Sequence, residues 1–294
     1  MIFIKVIEIV FPVFFLSLLG FFWVKKGFEY PMQFVTRLCM NLAVPCLVFV
    51  SLMNTEINIK LLFNFTLATL FTYTLIIITF FVIIKLIKIN SKTYLAPLSF
   101  GNTGNIGLPL AYFAFGETGL GYAVLVLSIT SILSFSIGIW FVSGKTSFLN
   151  TLKNEPLLTA TFIGLFFLLT GYQTPFFLTS TFELIGQTAI PLMLITLGVA
   201  VASLNVTHFY WALKLGILKL FVCISLSLII GYISQLDHIP FSILVLQMSA
   251  PVAITSYLLA KKYNADDKAV AGIVIASTSL SILYFPIILY FQLS

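Results

Sequence analysis

The chain has 294 residues, of which 60% are hydrophobic and only 8% are charged. A water-soluble fold of this length cannot bury so much apolar surface, so the composition predicts a polytopic membrane protein. The formal charge of +6 comes from lysines scattered through short loops, which argues against a nucleic-acid-binding surface.

Ten apolar segments are long enough to cross a bilayer, which requires about 20 residues each. Only short polar intervals separate them, so no soluble domain is expected. The predicted fold is an all-α polytopic membrane protein with ten transmembrane helices, numbered here as segments 1 to 10. The segments cover residues 6–24, 31–53, 62–87, 94–115, 118–142, 154–172, 179–202, 209–234, 240–261 and 266–292.

Basic residues are distributed unevenly between the two sides of this arrangement. Thirteen of the 15 lysines and arginines, including Lys214 and Lys219, are assigned to the loops after odd-numbered segments and the segment ends beside them. Only Lys5 and Lys60 fall on the other side. Because cytoplasmic loops are enriched in basic residues, both termini are expected outside the cytoplasm, with the protein in the plasma or inner cell membrane.

The two halves of the chain share a spacing of prolines and glycines. Each half has five segments, an odd number, so the halves would enter the membrane in opposite orientations. Paired broken helices in inverted halves are typical of transporters, although prolines can also recur by chance. The matched pairs are Pro12 and Pro156, Gly20 and Gly164, Pro45 and Pro191, and Pro109 and Pro251, at offsets of 144, 144, 146 and 142.

Segments 4 and 9 contain the strongest helix-breaking sequences, GNTGNIGLP at 101–109 and QMSAPVAITS at 247–256. A helix loses about 1 kcal/mol for each glycine and about 3 kcal/mol for an interior proline. Broken backbone survives in a membrane only where protein buries it or where it lines a wet cavity. We therefore expect the two segments to cross at mid-membrane. The predicted crossover backbone residues are Gly101, Gly104, Gly107, Pro109 and Pro251.

A crossing of this kind brings together the positive ends of half-helices, which favour an anion. The polar side chains around it are neutral, so the sequence predicts a site for a small carboxylate without a fixed cation. The alternative is that the amides only satisfy the broken backbone. The candidate substrate-binding residues are Asn102, Asn105, Gln247, Ser249, Thr255 and, from segment 2, Asn41.

Other chemistry is not expected from the residues present. No aspartate or glutamate lies at the centre of a segment, which disfavours a carboxylate-ligated sodium site or an acidic proton relay. Sodium held by carbonyls, amides and hydroxyls, and a substrate carried as its own acid, stay open. His208 and His238 stand alone, and the three cysteines fall in or beside apolar segments, so no metal and no cofactor is expected. The sequence offers no catalytic carboxylate pair or Ser/His couple, so an enzyme is not expected.

Several motifs resemble those of the auxin efflux carrier family, and the resemblance covers essentially the whole chain. The most specific are GNTGNIGLP at 101–109, followed by FGE at 115–117, and AKKYN at 260–264; NLAVP at 41–45 also matches. The resemblance implies a fold of two inverted five-helix repeats, related to bile acid symporters and sodium/proton antiporters, in which helices 4 and 9 are broken and cross.

The resemblance also implies how the molecule is divided. Segments 1–2 and 6–7, residues 1–53 and 154–202, would form a scaffold. Segments 3–5 and 8–10, residues 62–142 and 209–292, would form a transport domain that moves as an elevator. Plant members are similar in having an asparagine at the place of Asn102, where it meets the substrate carboxylate. The chain departs from the family at NEP, 154–156, where an asparagine usually directly precedes the proline.

Together these features predict a secondary transporter that moves a small organic anion through the bilayer by an elevator mechanism. The alternative is a non-transporting membrane receptor that senses a small ligand through the same pocket. The expected partners are the organic anion and lipid, without nucleic acid, and a homodimer through the scaffold helices is an open alternative for the assembly.

The membrane orientation predicts the result of a fusion experiment. Reporter domains inserted after Lys145 and attached at Ser294 are expected to lie in opposite compartments, because an odd number of segments separates the two positions. Paired cytoplasmic and extracytoplasmic reporters in cells measure this directly. Equal signals at the two positions would contradict the count of ten segments.

Overall fold

The fold is taken from a computed structural model, which describes residues 2–55, 58–143, 155–204 and 209–293. Within these residues the regular secondary structure is helical, so the expected all-helical class is confirmed. Seven helical stretches among them have the length and hydropathy to cross a membrane. The count of ten crossings and the inverted repeat stay predictions.

The described helices are numbered here along the chain. Three π-helical turns of five residues interrupt or precede these helices. Cys39–Ala43 lies between α2 and α3, Thr103–Gly107 directly precedes α6, and Ser134–Gly138 lies between α6 and α7. The helices are α1 (Ile2–Lys25), α2 (Met32–Leu38), α3 (Val44–Asn54), α4 (Ile59–Leu86), α5 (Ser91–Ser99), α6 (Leu108–Leu133), α7 (Ile139–Ser143), α8 (Pro156–Thr170), α9 (Phe176–Gln187), α10 (Ala189–Ser203), α11 (Phe209–Ile233), α12 (His238–Met248), α13 (Ile254–Lys262) and α14 (Asp267–Leu293).

Residues at the helix ends explain where several helices begin and end. Asn58 and Asn90 cap α4 and α5, since each side chain accepts a hydrogen bond from the backbone N–H two residues later. Pro156 begins α8, where its missing N–H is not needed. Gly171 ends α8 in the left-handed conformation, with φ of 70°. Capping asparagines, an N-terminal proline and a C-terminal glycine thus mark helix ends that can be recognised in the sequence.

The helical run Thr103–Ser143 contains 41 residues and is interrupted at Gly116, where φ is 62° and ψ is −151°. Glycine adopts this backbone without the strain that a Cβ atom would bring. At 1.5 Å per residue the run is about 60 Å long, roughly twice the thickness of the hydrocarbon core. The break at Gly116 lies between the predicted segments 4 and 5.

Two non-helical stretches, residues 100–102 and 249–253, interrupt the predicted segments 4 and 9. The first is shorter than the sequence predicts, because Thr103–Gly107 forms a π-helical turn. Pro109 lies in the first turn of α6, where a helix tolerates proline, whereas Pro251 lies inside the second break. The two prolines therefore do not occupy equivalent positions, since one lies in a helix and the other in a break. The prediction that both lie in the breaks is wrong.

Glycines allow two pairs of helices to approach closely. A Cβ atom at Gly20 would lie 2.0 Å from the carbonyl oxygen of Ile195, where α1 packs on α10. A Cβ atom at Gly164 would lie 3.0 Å from Cβ of Leu52, where α8 packs on α3. The two contacts join residues that correspond at offsets of 144 and 143. Equivalent contacts of this kind are expected if the chain contains a repeat.

The same packing makes a prediction about stability. Gly198→Ala is expected to lower the free energy of unfolding by about 1–3 kcal/mol, because its Cβ atom would lie 1.7 Å from the carbonyl oxygen of Ser17. Gly216→Ala is the matched control, since its Cβ atom would meet its nearest neighbour at 3.5 Å. This control is expected to be neutral or to gain up to about 1 kcal/mol of helix propensity. Thermal unfolding in detergent compares the two, and equal stabilities would contradict the close contact.

Candidate functional site

The two breaks lie against each other, and this contact is called the crossover below. Gly101 and Val252 form an antiparallel β-bridge, and the N–H of Asn102 donates to the carbonyl of Pro251 at 2.7 Å. A Cβ atom at Gly101 would lie 2.8 Å from the carbonyl oxygen of Ala250, so glycine permits the approach. The broken segments 4 and 9 therefore meet through their backbones.

Buried apolar side chains from both sides of the crossover fix its place in the molecule. Ile106 follows the first break and Leu246 precedes the second, and both pack in one core cluster with Leu194 and Leu197 of α10. All four are at most 1% exposed. The crossover is consequently held against α10 and is shielded from lipid by protein.

Specific donors partner the carbonyls that the second break releases. The Tyr284 hydroxyl on α14 donates to the carbonyl of Ser249 at 2.7 Å. The Lys219 ammonium on α11 donates to the carbonyl of Ala250 at 2.9 Å. The Pro251 carbonyl accepts from Asn102, as described above, and the Ser277 hydroxyl accepts from the N–H of Val252 at 3.0 Å. These bonds replace the helical bonds that the break removes.

The side chain of Asn102 is 6% exposed and has two different environments. Its Oδ1 accepts from the N–H of Asn105 at 3.2 Å, which caps the π-helical turn. Its Nδ2 is buried and has no protein hydrogen-bond partner within the described residues. An amide nitrogen in this situation can donate two hydrogen bonds to a ligand.

Gln247 is fully buried at the end of α12. Its side chain lies directly against Gly107, where a Cβ atom would come within 2.1 Å of Oε1. Neither Oε1 nor Nε2 has a protein hydrogen-bond partner in the described part of the chain. Buried polar atoms without a partner are rare in proteins. The Gln247 amide is therefore, after Asn102, the second side chain at the crossover with hydrogen-bonding atoms that a ligand could use.

The structure places the remaining candidate residues in less distinctive positions. Ser249 is buried, and its hydroxyl donates to the carbonyl of Leu246. Asn105 and Thr255 are half-buried. Asn41 is exposed on the π-helical turn Cys39–Ala43, and the described residues provide no hydrogen bond to its side chain. Of the predicted crossover backbone, Gly104 and Gly107 lie in a π-helical turn and Pro109 in α6, so only Gly101 and Pro251 lie in the breaks.

Lys219 is the residue at the crossover that sequence reasoning assigns wrongly. It counts above among the basic residues of loops and segment ends, but it lies ten residues after the start of α11 and is 2% exposed. The expectation of a crossover without a fixed cation is therefore wrong. The position of a lysine inside an apolar segment is the signal that could have identified it, because intramembrane ionisable residues usually have a function.

Two other observations concern cofactors and cavities. Among the described residues, no three His, Cys, Asp or Glu side chains come together as a metal site would require. Cys39, Cys46 and Cys223 are free thiols. A separate groove of about 510 Å³ lies between α3, α8 and α9, lined mainly by apolar side chains that include Phe49 and Ile163. An apolar groove offers few partners to an anion, so the crossover remains the better candidate.

The helices that are long and apolar enough to cross a membrane indicate a multi-pass membrane protein, and comparison with known proteins gives the class of membrane transport protein. A family model described as membrane transport protein matches residues 5–151 and 140–289. The chain belongs to this family, that of the auxin efflux carriers, which confirms the resemblance of its motifs.

Two curated relatives are named as uncharacterised transporters. The one from Methanocaldococcus jannaschii is 23% identical over 192 residues, and the match covers 62% of each chain. The one from Methanothermobacter thermautotrophicus is 27% identical over 298 residues, and the match covers 98% of each chain. The chain therefore spans less than two thirds of the first relative and nearly all of the second, and neither name gives a substrate.

The bond from Tyr284 to the Ser249 carbonyl predicts the effect of removing one hydroxyl. Tyr284→Phe is expected to destabilise the protein by about 1–3 kcal/mol, because it leaves a carbonyl without its donor. Tyr112→Phe is the control, since that side chain is 37% exposed and its change is expected to stay within about 0.5 kcal/mol. Thermal unfolding of both purified variants provides the comparison. Wild-type stability in Tyr284→Phe would show that the bond is not needed.

Proposed function

We propose that the protein is a secondary transporter of a small organic anion, a carboxylate, and that the anion binds at the crossover. The observation that carries the proposal is the pair of buried amides, Asn102 and Gln247, with unused hydrogen-bonding atoms beside the breaks. Three carbonyls of the second break, those of Ser249, Ala250 and Pro251, already have other partners. Apart from Oδ1 of Asn102, these amides are therefore free to bind a ligand.

The donors around the crossover suit a carboxylate. Its two oxygens can accept hydrogen bonds from Nδ2 of Asn102 and Nε2 of Gln247, the donor atoms of the two amides. The N-terminus of α13 has no side-chain cap, and its backbone N–H groups and dipole favour negative charge. Thr255 in the first turn of α13 adds a hydroxyl, whereas the hydroxyl of Ser249 already donates to the carbonyl of Leu246.

The proposed mechanism is an elevator in which a transport domain carries the crossover past a scaffold. The equivalent contacts of Gly20 and Gly164 support a repeat, and they join α1 to α10 and α8 to α3, all parts of the proposed scaffold. The long run with its break at Gly116 supports ten crossings rather than seven. Because the two halves are inverted, the crossover would open to one side of the membrane and then to the other.

The orientation in the membrane is part of the same proposal. Without the buried Lys219, twelve of the remaining fourteen basic residues still lie on one side of the predicted topology. This asymmetry supports extracytoplasmic termini in a plasma or inner membrane. Lys145 and Lys153 contribute to the count and lie outside the described residues. A homodimer through the scaffold helices stays a prediction.

Uptake into proteoliposomes distinguishes the transporter from the alternative receptor. Phenylacetate and malonate represent monocarboxylates and dicarboxylates, and a carboxylate that binds the folded protein raises its melting temperature. A transporter is expected to accumulate the radiolabelled carboxylate that gives the larger shift. Binding without uptake in either membrane orientation would favour the receptor.

Variants of Asn102 test the binding site itself. Asn102→Ala is expected to weaken carboxylate binding by about 1–3 kcal/mol, or roughly 5- to 150-fold, because a bond to a charged group is lost. Asn102→Asp is expected to be worse, since an ionised aspartate repels the anion. The aspartate keeps an acceptor oxygen for the N–H of Asn105, so it separates ligand binding from helix capping.

Asn90 provides the matched control, because its side chain also caps a helix but lies at the exposed start of α5. Asn90→Ala and Asn90→Asp are expected to change the melting temperature slightly and leave carboxylate affinity unchanged. Affinity by calorimetry and melting temperature are measured on the same purified proteins. Wild-type affinity in Asn102→Asp would contradict the anion site.

A further inference from the structure

Lys219 is buried in an unusual way for a charged side chain. Among the residues that the structure describes, it is the one Asp, Glu, Lys or Arg side chain that is buried. Its Nζ donates to the carbonyl of Ala250 at 2.9 Å and lies 3.9 Å from Sγ of Cys223, one turn further along α11. No carboxylate lies within 4 Å of it in the described ranges.

A buried ammonium without a counter-charge is costly, because one carbonyl and one thiol sulfur replace only part of its hydration. Two tyrosines that lie near Cys223, Tyr73 and Tyr284, bring no charge to compensate it. Tyr73 on α4 shares its hydroxyl with Thr130, and Tyr284 on α14 donates its hydroxyl to Ser249. Within the described residues, the Lys219 ammonium therefore has no carboxylate partner beside the second break.

The broken backbone does not require this charge. Two adjacent carbonyls, those of Ser249 and Pro251, are partnered by neutral donors, a tyrosine hydroxyl and a backbone N–H. The Ala250 carbonyl lies between these two, and its donor is the charged one. The property that distinguishes the lysine from the other two donors is its charge.

We propose that Lys219 is the specificity-determining residue of the crossover, whose fixed positive charge selects anions over neutral molecules of the same shape. The inference rests on the proposed function, since it assigns the bound anion as the missing counter-charge. Lys219, bonded to the Ala250 carbonyl, acts on the anion through space, while Asn102 and Gln247 provide the direct hydrogen bonds. Charge attraction is strong here because the crossover is buried and is screened little by water or salt.

The proposal predicts how charge at residue 219 changes selectivity. The probes are phenylacetate, malonate and the uncharged phenylacetamide, each titrated against purified protein in detergent. In the wild type, phenylacetamide is expected to bind more weakly than the carboxylates. Lys219→Gln is expected to weaken carboxylate binding at least 10-fold and to leave phenylacetamide binding unchanged, so the selectivity ratio falls. Lys219→Met removes the same charge with a side chain of similar length, so either neutral variant can decide if the other does not fold. Lys219→Arg is expected to keep most of the preference for carboxylate.

Lys214→Gln is the matched control for this experiment. Lys214 lies on the same helix, and removing it changes the net charge equally, but it is exposed and its Nζ lies 4.5 Å above the ring of Tyr210. Its carboxylate affinity is expected to equal that of the wild type. Melting temperatures of all variants verify that the proteins are folded.

The outcomes separate this inference from the proposed function. Wild-type selectivity in a folded Lys219→Gln or Lys219→Met protein would overturn the role of Lys219 and leave the anion site intact. If only the melting temperature fell, Lys219 would be a structural donor to Ala250 and the inference would be wrong. Failure of both carboxylates to bind the wild-type protein would contradict the anion site and the role of Lys219 together.

Discussion

The structure depends on one constraint, which is that broken backbone inside a membrane must find its hydrogen bonds within the protein. At the crossover, α11, α14 and the first break each provide a donor to one of three consecutive carbonyls. Elements that are distant in sequence are thereby tied to one short stretch of chain. The same arrangement leaves the nearby amide side chains of Asn102 and Gln247 available, so the structural requirement and the capacity to bind a ligand are met by different groups.

The fold class and the location of the breaks could be predicted from the sequence, because hydropathy and the cost of glycine and proline are local properties. The detailed shape of the first break could not. The π-helical turn depends on a cap from Asn102, and Pro109 continues the helix because its missing N–H falls in the first turn. Residue type alone does not distinguish a proline that breaks a helix from one that begins it.

The candidate site was predictable in part for a similar reason. Asn102 and Gln247 are recognisable as polar residues in apolar motifs. Lys219 is not, because the mean hydropathy of its long segment stays high in spite of one lysine. Its partner, the Ala250 carbonyl, is 31 residues away, and only the folded chain brings the two together. The exposed position of Asn41 likewise follows from how α2 and α3 pack, which the spacing of prolines does not specify.

The cap made by Asn102 has a consequence for recognition. The backbone N–H of Asn105 can only donate, so the atom facing it must be the oxygen of the amide, and the nitrogen must point the other way. The side chain therefore cannot turn over to offer its oxygen to a ligand without losing the cap. Its rotational entropy is given up when the protein folds, before any ligand arrives, so little further ordering of this group opposes binding. Such a pre-organised donor also discriminates by polarity, since a ligand that presents an N–H to Asn102 meets another N–H and no acceptor.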